Sequence, residues 1–439
     1  MENNELERRE ARRKRRIRNQ ILVYLTMIVV VALVSVGIIF AVKMASEKEQ
    51  LESSVQSSVE SSQQEILDEM VSSEPEIEKP TPTPEPTKSP DEMLDEFIDE
   101  IVGQMPIEDR VAGLFFVTPE SITGVGTAVK AGDGTKEALS QYAVGGIIYF
   151  EKNIKNAEQF KEMVSNTVLY SKYPLFIGMD EEGGSVSRLT EKGLMEKQAG
   201  AGAIAQAGDT TAAYNVGVTI GSTMKTYGIN VDFAPVADLA NVENSVMAGR
   251  TYDSVASVAI PYVLEMMRGL DEQGISACLK HFPGIGATAE DTHKGLATVE
   301  RTAEEFRAEE FTVFQAGIDA GAEFVMVGHV DAPQLTGDNT PASMSSVIVT
   351  DILRNELGFD GVVITDAMNM KAISEYYGAD EAAVKALKAG CDMILMPEDF
   401  NKAYMGVLQA LADGTIAEER INDSIKRIYR VKYAGKFEE

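Results

Sequence analysis

Cysteine and tryptophan are nearly or wholly missing: two Cys and no Trp stand in 439 residues. Cys278 and Cys391 both sit inside apolar runs (SACLKHF and AGCDMILM). That excludes a disulfide scaffold and a Cys-rich zinc or iron–sulfur site, and no Cys near the N-terminal apolar run could carry a lipid. Positive charge is also scarce, with 40 Lys and Arg against 69 Asp and Glu and a net charge of −29. This argues against general nucleic-acid binding, which needs clustered cations facing phosphates. Histidine occurs only 3 times. His281, His293 and Asp180 show no HxH or HExxH spacing, so a metal site is unsupported. A GxGxxG after a first strand, a P-loop and a GxSxG are absent too, so no cofactor is expected. What remains is ordinary for a globular core, 44% hydrophobic and 25% charged residues.

The first ninety residues read as three segments. Residues 1–20 form a basic tail; its stretch RREARRKRRIR is followed by Ile21 to Val42, an uncharged run long enough to span a bilayer of about 30 Å. It exceeds the apolar core of a cleavable signal peptide. The cations before it put the N-terminus in the cytoplasm, so residues 21–43 are expected to be a single-pass signal anchor. Residues 44–90 are rich in Ser, Glu and Pro, with six prolines between Pro75 and Pro90. Such a composition cannot bury enough apolar surface to fold. As a spacer it reaches on the order of 100 Å, which suits a domain held away from the cell membrane on its outer side.

From residue 91 to 439 the pattern is one folded unit. DEMLDEFIDEIVGQM has apolar residues at helical spacing and opens it. Eight short apolar runs follow at 111–117, 145–150, 174–180, 229–238, 276–284, 324–330, 361–368 and 392–397, separated in most cases by helix-like segments. Runs this apolar are typical of parallel strands buried on both faces. Eight strand–helix alternations predict an α/β fold, a (β/α)8 barrel of the TIM type; an open doubly wound sheet is the competing architecture. Ionisable residues gather at the carboxyl ends of the runs: Asp180, Asp238, Lys280 with His281, His329, and Asp366. In a barrel these ends share one face, where active sites lie.

Two features carry chemistry. Asp366, in GVVITDAMNM, can project into the barrel mouth, where an ionised carboxylate could attack an anomeric carbon or stabilise an oxocarbenium-like transition state. A strand-end Asp can equally cap the next helix. Asp291 precedes His293 by two residues in the loop after KHFPGIG, a candidate flap. An Asp so placed can bond the imidazole and fix its tautomer, which suits a general acid/base. A capping Asp beside an idle loop His is the alternative.

VGGIIYFEKN, GMDEEGGSVSRL, NVDFAPVADL, KHFPGIGATAEDTH, the His329 segment with PASMSS, and ITDAMNM follow in one order over about residues 95–435. Together they resemble glycoside hydrolase family 3 β-N-acetylglucosaminidases of the muropeptide-processing type; GMDEEGG resembles that family's DQEGG motif. The resemblance implies Asp366 as nucleophile, His293 as general acid/base oriented by Asp291, and Asp180, Arg188, Arg250, Lys280 and His281 as sugar contacts. It implies a retaining exo-β-N-acetylglucosaminidase (a β-N-acetylhexosaminidase) acting on peptidoglycan fragments or related glycans, with no cofactor, as a monomer. Three departures bear on the subsites. Ile285 and Ala287 stand where the family's loop has His and Asp, Ser185 replaces an Arg, and VENSVMAGR departs from NPVIGxR. The sequence given ends soon after the match, so a single-barrel form is expected. Competing functions are a β-glucosidase or β-xylosidase of the same family, a GlcNAc phosphorylase, a catalytically idle wall-binding protein, and an aldolase-type barrel using Lys280.

Overall fold

The computed structural model describes residues 88–437. The basic tail, the apolar span and nearly all of the Pro-rich spacer lie outside these residues. Among the described residues no helix is long and apolar enough to cross a membrane.

The opening helix runs Pro90–Gln104 because its sequence sets both ends and one face. Ser89 and Glu92 form a reciprocal capping box, Pro90 occupies the first turn, and Leu94, Ile98 and Val102 bury a stripe at fourfold spacing. The stripe lies near the closing helix Glu418–Lys432, to which Lys426–Asp99 adds an ion pair at 2.6 Å.

Among the described residues ten strands follow: β1 (Phe115–Val117), β2 (Gly146–Ile148), β3 (Phe176–Met179), β4 (Glu181–Gly183), β5 (Val186–Ser187), β6 (Val231–Asp232), β7 (Ser276–Phe282), β8 (Phe324–Val327), β9 (Val362–Thr365) and β10 (Ile394–Leu395). Eight are parallel in the order β10-β1-β2-β3-β6-β7-β8-β9. A parallel bridge between Ile364 and Met393 joins the ends of this order, with Thr365 N–Met393 O and Met393 N–Val363 O both at 3.0 Å. The sheet is therefore a nearly closed parallel barrel. An open doubly wound sheet is excluded, because strands adjacent in sequence are adjacent in space all the way round.

Each of the eight apolar runs holds one barrel strand, buried on both faces. The interior is filled from the strands themselves. Phe116 of β1 turns inward and packs 5.3 Å from Phe233, centroid to centroid. Gly146 and Gly178 on the next two strands leave room for it, since a Cβ on either would come within 2.6 Å of the ring. Below, Lys432 of the closing helix sets its ammonium 4.7 Å from the Phe176 ring and donates to Gly145 O at 3.0 Å.

Three helical details differ from the sequence reading. A helix at Phe400–Ala412 precedes the closing one, so two helices follow the last strand. The Ala303–Gly321 stretch breaks into two helices at Glu309, whose backbone leaves the helical region (φ −125°, ψ −82°). Val347–Glu356 winds as a π-helix, closed by Leu357 N to Ile352 O. The antiparallel hairpin β4–β5, off the end of β3, was not expected either.

Candidate active site

The carboxyl ends of the barrel strands enclose a cavity of about 490 Å³. Asp180, Arg188, Arg250, Lys280, His281, Asp291, His293 and Asp366, the eight residues singled out from sequence, all line it. Asp238 and His329 do not, although they too follow strands on this face. Each holds a neighbour. Asp238 accepts from His281 Nδ1 at 2.7 Å, from His281 N at 3.1 Å and from Ile285 N at 2.7 Å. Since the carboxylate only accepts, His281 carries its proton on Nδ1 and leaves Nε2 free. His329 donates from Nε2 to Ala367 O (3.0 Å), and the Ser343 hydroxyl serves its Nδ1 (2.8 Å). Burial depresses the basicity of His329, while Asp366 opposes that shift.

Asp366 stands just past β9. Its backbone N donates to Val327 O at 2.8 Å and its Oδ1 accepts from Ala367 N at 2.7 Å. Burial works against its charge, but His281, His329, the Ala367 N–H and Lys280 outweigh it and hold the carboxyl below its ordinary value. It is therefore an ionised carboxylate at neutral pH, as an attacking group must be.

Lys280 is 2% exposed and bridges two carboxylates, Asp180 Oδ1 at 2.8 Å and Glu182 Oε1 at 2.7 Å. Burial opposes its charge, yet Asp180 and Glu182 overcome that and raise the ammonium above its ordinary value. A Schiff-base role needs a neutral amine, so the aldolase alternative loses its nucleophile. Arg250 grips Glu182 with two bonds, Nε–Oε2 at 2.9 Å and Nη2–Oε1 at 2.6 Å. Burial pushes Glu182 up, but Lys280 and Arg250 bring it down to about 2. Arg188 lies beside the Phe150 ring, 5.7 Å away, with its nearest carboxylates, Glu151 and Glu191, at 3.8 and 3.9 Å. Its guanidinium is the most loosely held cation of the cavity.

Glu182 was missed from sequence. The signal was there: strand side chains alternate, so Asp180 and Glu182 in GMDEEGG share a face while Glu181 takes the other.

The loop after β7 carries the Asp–His pair. His293 Nδ1 donates to Asp291 Oδ1 at 2.9 Å, its backbone N to the same oxygen at 3.0 Å, and Lys294 Nζ lies 3.1 Å from Asp291 Oδ2. These contacts hold Asp291 below its ordinary value in spite of some burial. His293 Nε2 is left free on a side chain 69% exposed. The start of this candidate flap is packed. Pro283 to Gly286 are buried, and a Cβ on Gly286 would strike Leu239 O at 2.0 Å. Only from Ala289 onward does the loop reach solvent. Ile285 lines the cavity and packs on Gly328, while its backbone N anchors to Asp238. Thr292 O accepts from Ala372 N at 3.2 Å, tying this loop to the segment that follows Asp366.

The cavity thus offers an ionised carboxylate, an imidazole with one free nitrogen, and several cations and carboxylates that can bind hydroxyls. Residues 98–431 match the model for the glycosyl hydrolase family 3 N-terminal domain. The β-hexosaminidase A of Pseudoalteromonas piscicida is 30% identical over 325 residues, 67% of this chain and 54% of that protein. A β-hexosaminidase of Nitrosomonas eutropha is 32% identical over 292 residues, 66% of this chain and 83% of that one. The solved structure of a glycoside hydrolase family 3 β-N-acetylglucosaminidase from a Paenibacillus species superposes with a TM-score of 0.70 at 33% identity, over 76% of this chain and 64% of that one. The chain therefore spans only about half of the first relative's length and under two thirds of the last.

Proposed function

The chain belongs to glycosyl hydrolase family 3, on the side of its β-hexosaminidases, and we propose that it is a retaining exo-β-N-acetylglucosaminidase releasing terminal GlcNAc from peptidoglycan fragments or related glycans. One observation carries the reading: the ionised carboxylate of Asp366 and the Asp291-oriented imidazole of His293 border the same cavity. In this reading Asp366 attacks the anomeric carbon and forms a covalent glycosyl-enzyme. His293, protonated on Nε2, gives its proton to the leaving oxygen. It then takes one from the water that hydrolyses the intermediate, so two inversions retain configuration. Asp180, Lys280, Arg250, Arg188 and His281 hold the sugar hydroxyls and the acetamido group. In this reading residues 21–43 anchor the chain in the cell membrane and the spacer after them holds the barrel on its outer side, where such glycans are met.

The test is the purified chain on 4-nitrophenyl β-GlcNAc beside the β-glucoside, with Asp366→Asn and His293→Ala as controls. GlcNAc release lost in Asp366→Asn and strongly reduced in His293→Ala supports the reading; no release by the folded wild type from either substrate refutes it. A second reading follows from the acid/base being an imidazole. Unlike a carboxylate, it does not repel phosphate, so the assay is repeated with inorganic phosphate. GlcNAc 1-phosphate as product would make the enzyme a phosphorylase.

A further inference from the structure

The hairpin that delivers Asp180 and Glu182 to the cavity has a second, hidden face. Glu181, between them, points the other way and is 0% exposed. Behind it on β6 is Asp232, also 0% exposed, whose Oδ1 accepts from Glu181 N at 3.0 Å. Glu181 Oε2 accepts from Leu189 N at 2.8 Å, fixing the turn that presents Arg188. The other oxygen of each carboxyl, Glu181 Oε1 and Asp232 Oδ2, has no hydrogen-bond partner among the described residues.

Charge counting makes this arrangement untenable for two carboxylates. The cations within reach are already matched at the front of the hairpin: Lys280 by Asp180 and Glu182, Arg250 by Glu182. Arg188 remains on the hairpin side, and Cys278 on β7 is a buried neutral thiol. The helix Thr210–Thr226 turns the apolar side chains Ala213, Val216, Ile220 and Met224 inward and adds no ionisable group to that buried face. Ser187 supplies only a hydroxyl. Arg188, already shared with Glu151 and Glu191 at 3.8 and 3.9 Å, is the cation left to offset two more buried negative charges, and one guanidinium is too few for both.

We propose that Glu181 is a positioning residue that works in its protonated form: as a neutral acid beside Asp232 it leaves Lys280 to the cavity-facing Asp180 and Glu182. Losing that proton as pH rises turns the back of the hairpin into a competitor for Lys280 and loosens the sugar site. Burial drives both groups in the required direction. Glu181 is raised to about 7 and Asp232 well above its ordinary value. In the DQEGG motif that this hairpin resembles, the same position is an amide, neutral at every pH. The inference rests on the sugar-binding reading only for its consequence, not for the proton itself.

The sign follows from linkage. An acid raised on folding binds more protons in the native state between its unfolded and folded values, so stability falls as pH rises from about 4.5 to 7. The full chain is melted between pH 5 and 8.5 as wild type and as Glu181→Gln, and the Kd for GlcNAc is measured on both. The wild type is expected to lose melting temperature relative to Glu181→Gln as pH rises, and its GlcNAc affinity to weaken by about threefold to tenfold more. Parallel melting curves, or a constant offset between them, would overturn the proposal. If only the melting curves diverge while GlcNAc binds neither protein, the proton stands and the sugar reading falls. Should Glu181→Gln not fold, infrared difference spectra of the wild type decide. A protonated-carboxyl band at pH 6 that fades by pH 8.5 is expected, and its absence at pH 6 would overturn the assignment.

Discussion

The barrel buries a charged cluster at each end, and the two are built on opposite rules. At the amino ends of the strands Asp392, 0% exposed just before β10, sits among three guanidiniums. Arg354 pairs with it directly, Arg427 lies at 3.3 Å and Arg420 at 3.7 Å, while Ser424 Oγ and Val363 N donate at 2.7 and 2.9 Å. The surplus cations are tied to carbonyls: Arg354 to Phe359 O and Gly361 O, Arg420 to Leu387 O and Cys391 O. At the carboxyl ends Lys280, Asp180, Glu182 and Arg250 are as densely paired, but they open onto a 490 Å³ cavity with Arg188 loosely held and His293 Nε2 free. The lower cluster stitches the closing helix to the barrel; the upper one keeps capacity in reserve. Strand direction, not residue type, separates them, since in parallel barrels the loops at carboxyl ends carry function and amino ends carry stability.

The strongest way to break this comparison is Asp366→Asn. It should lower kcat on 4-nitrophenyl β-GlcNAc by on the order of 10⁴-fold or more, with little change in melting temperature. Wild-type turnover in this variant would remove Asp366 from the reaction. At the other end Asp392→Asn should do the reverse. It leaves three guanidiniums around a neutral amide, at a cost of about 3–5 kcal/mol. Melting would then fall by roughly 5–10 °C, while kcat of the folded protein stays within about twofold. A loss of kcat at matched folded fraction would show that the two ends are coupled.

Asp291→Asn sharpens the picture within the upper end. Asp291, held below its ordinary value, stays negative throughout the working range and accepts from His293 Nδ1 at 2.9 Å. An asparagine in its place no longer fixes the ring's tautomer and orientation through Nδ1. The kcat on 4-nitrophenyl β-GlcNAc should drop by roughly 10- to 100-fold with KM little changed. An unchanged kcat would mean that the imidazole is not the proton donor.

Much of this contrast was legible in the chain. The eight apolar runs gave the barrel because strands buried on both faces need no alternation, and strand-end Asp, Lys and His residues marked the working face. What was not legible depended on contacts between segments. The hidden partnership of Glu181 with Asp232 depends on a contact between β4 and β6 that no local pattern announces. Asp238 and His329 belong to the same strand-end set, but hydrogen bonds to His281 and Ala367 O place them one layer behind the cavity. The loop after KHFPGIG reads as a flap, yet Gly284 and Gly286 at its start serve close packing against Glu310 and Leu239. The Arg354–Asp392–Arg420–Arg427 cluster has no local signature, since 38 positions separate Arg354 from Asp392 and 35 separate Arg427 from it.

Ser424→Ala is the smallest of these changes and tests the rule most finely. Ser424 is 0% exposed and relays between two charges: it accepts from Arg420 Nη1 at 2.6 Å and donates to Asp392 at 2.7 Å. Alanine fits the space but leaves a buried carboxylate oxygen and a guanidinium N–H each one partner short. Hydrogen bonds to charged groups are the ones whose loss is felt. Yet Asp392 keeps Arg354, Arg427 and Val363 N, so the penalty should be only about 1–2 kcal/mol. Melting should fall by a few degrees with kcat and KM unchanged. A fall as large as that of Asp392→Asn would mean that the hydroxyl, rather than the surrounding guanidiniums, holds the carboxylate in place. No fall at all would mean that the lower cluster, like the upper one, has capacity to spare, and the distinction between the two ends would then rest on solvent access alone.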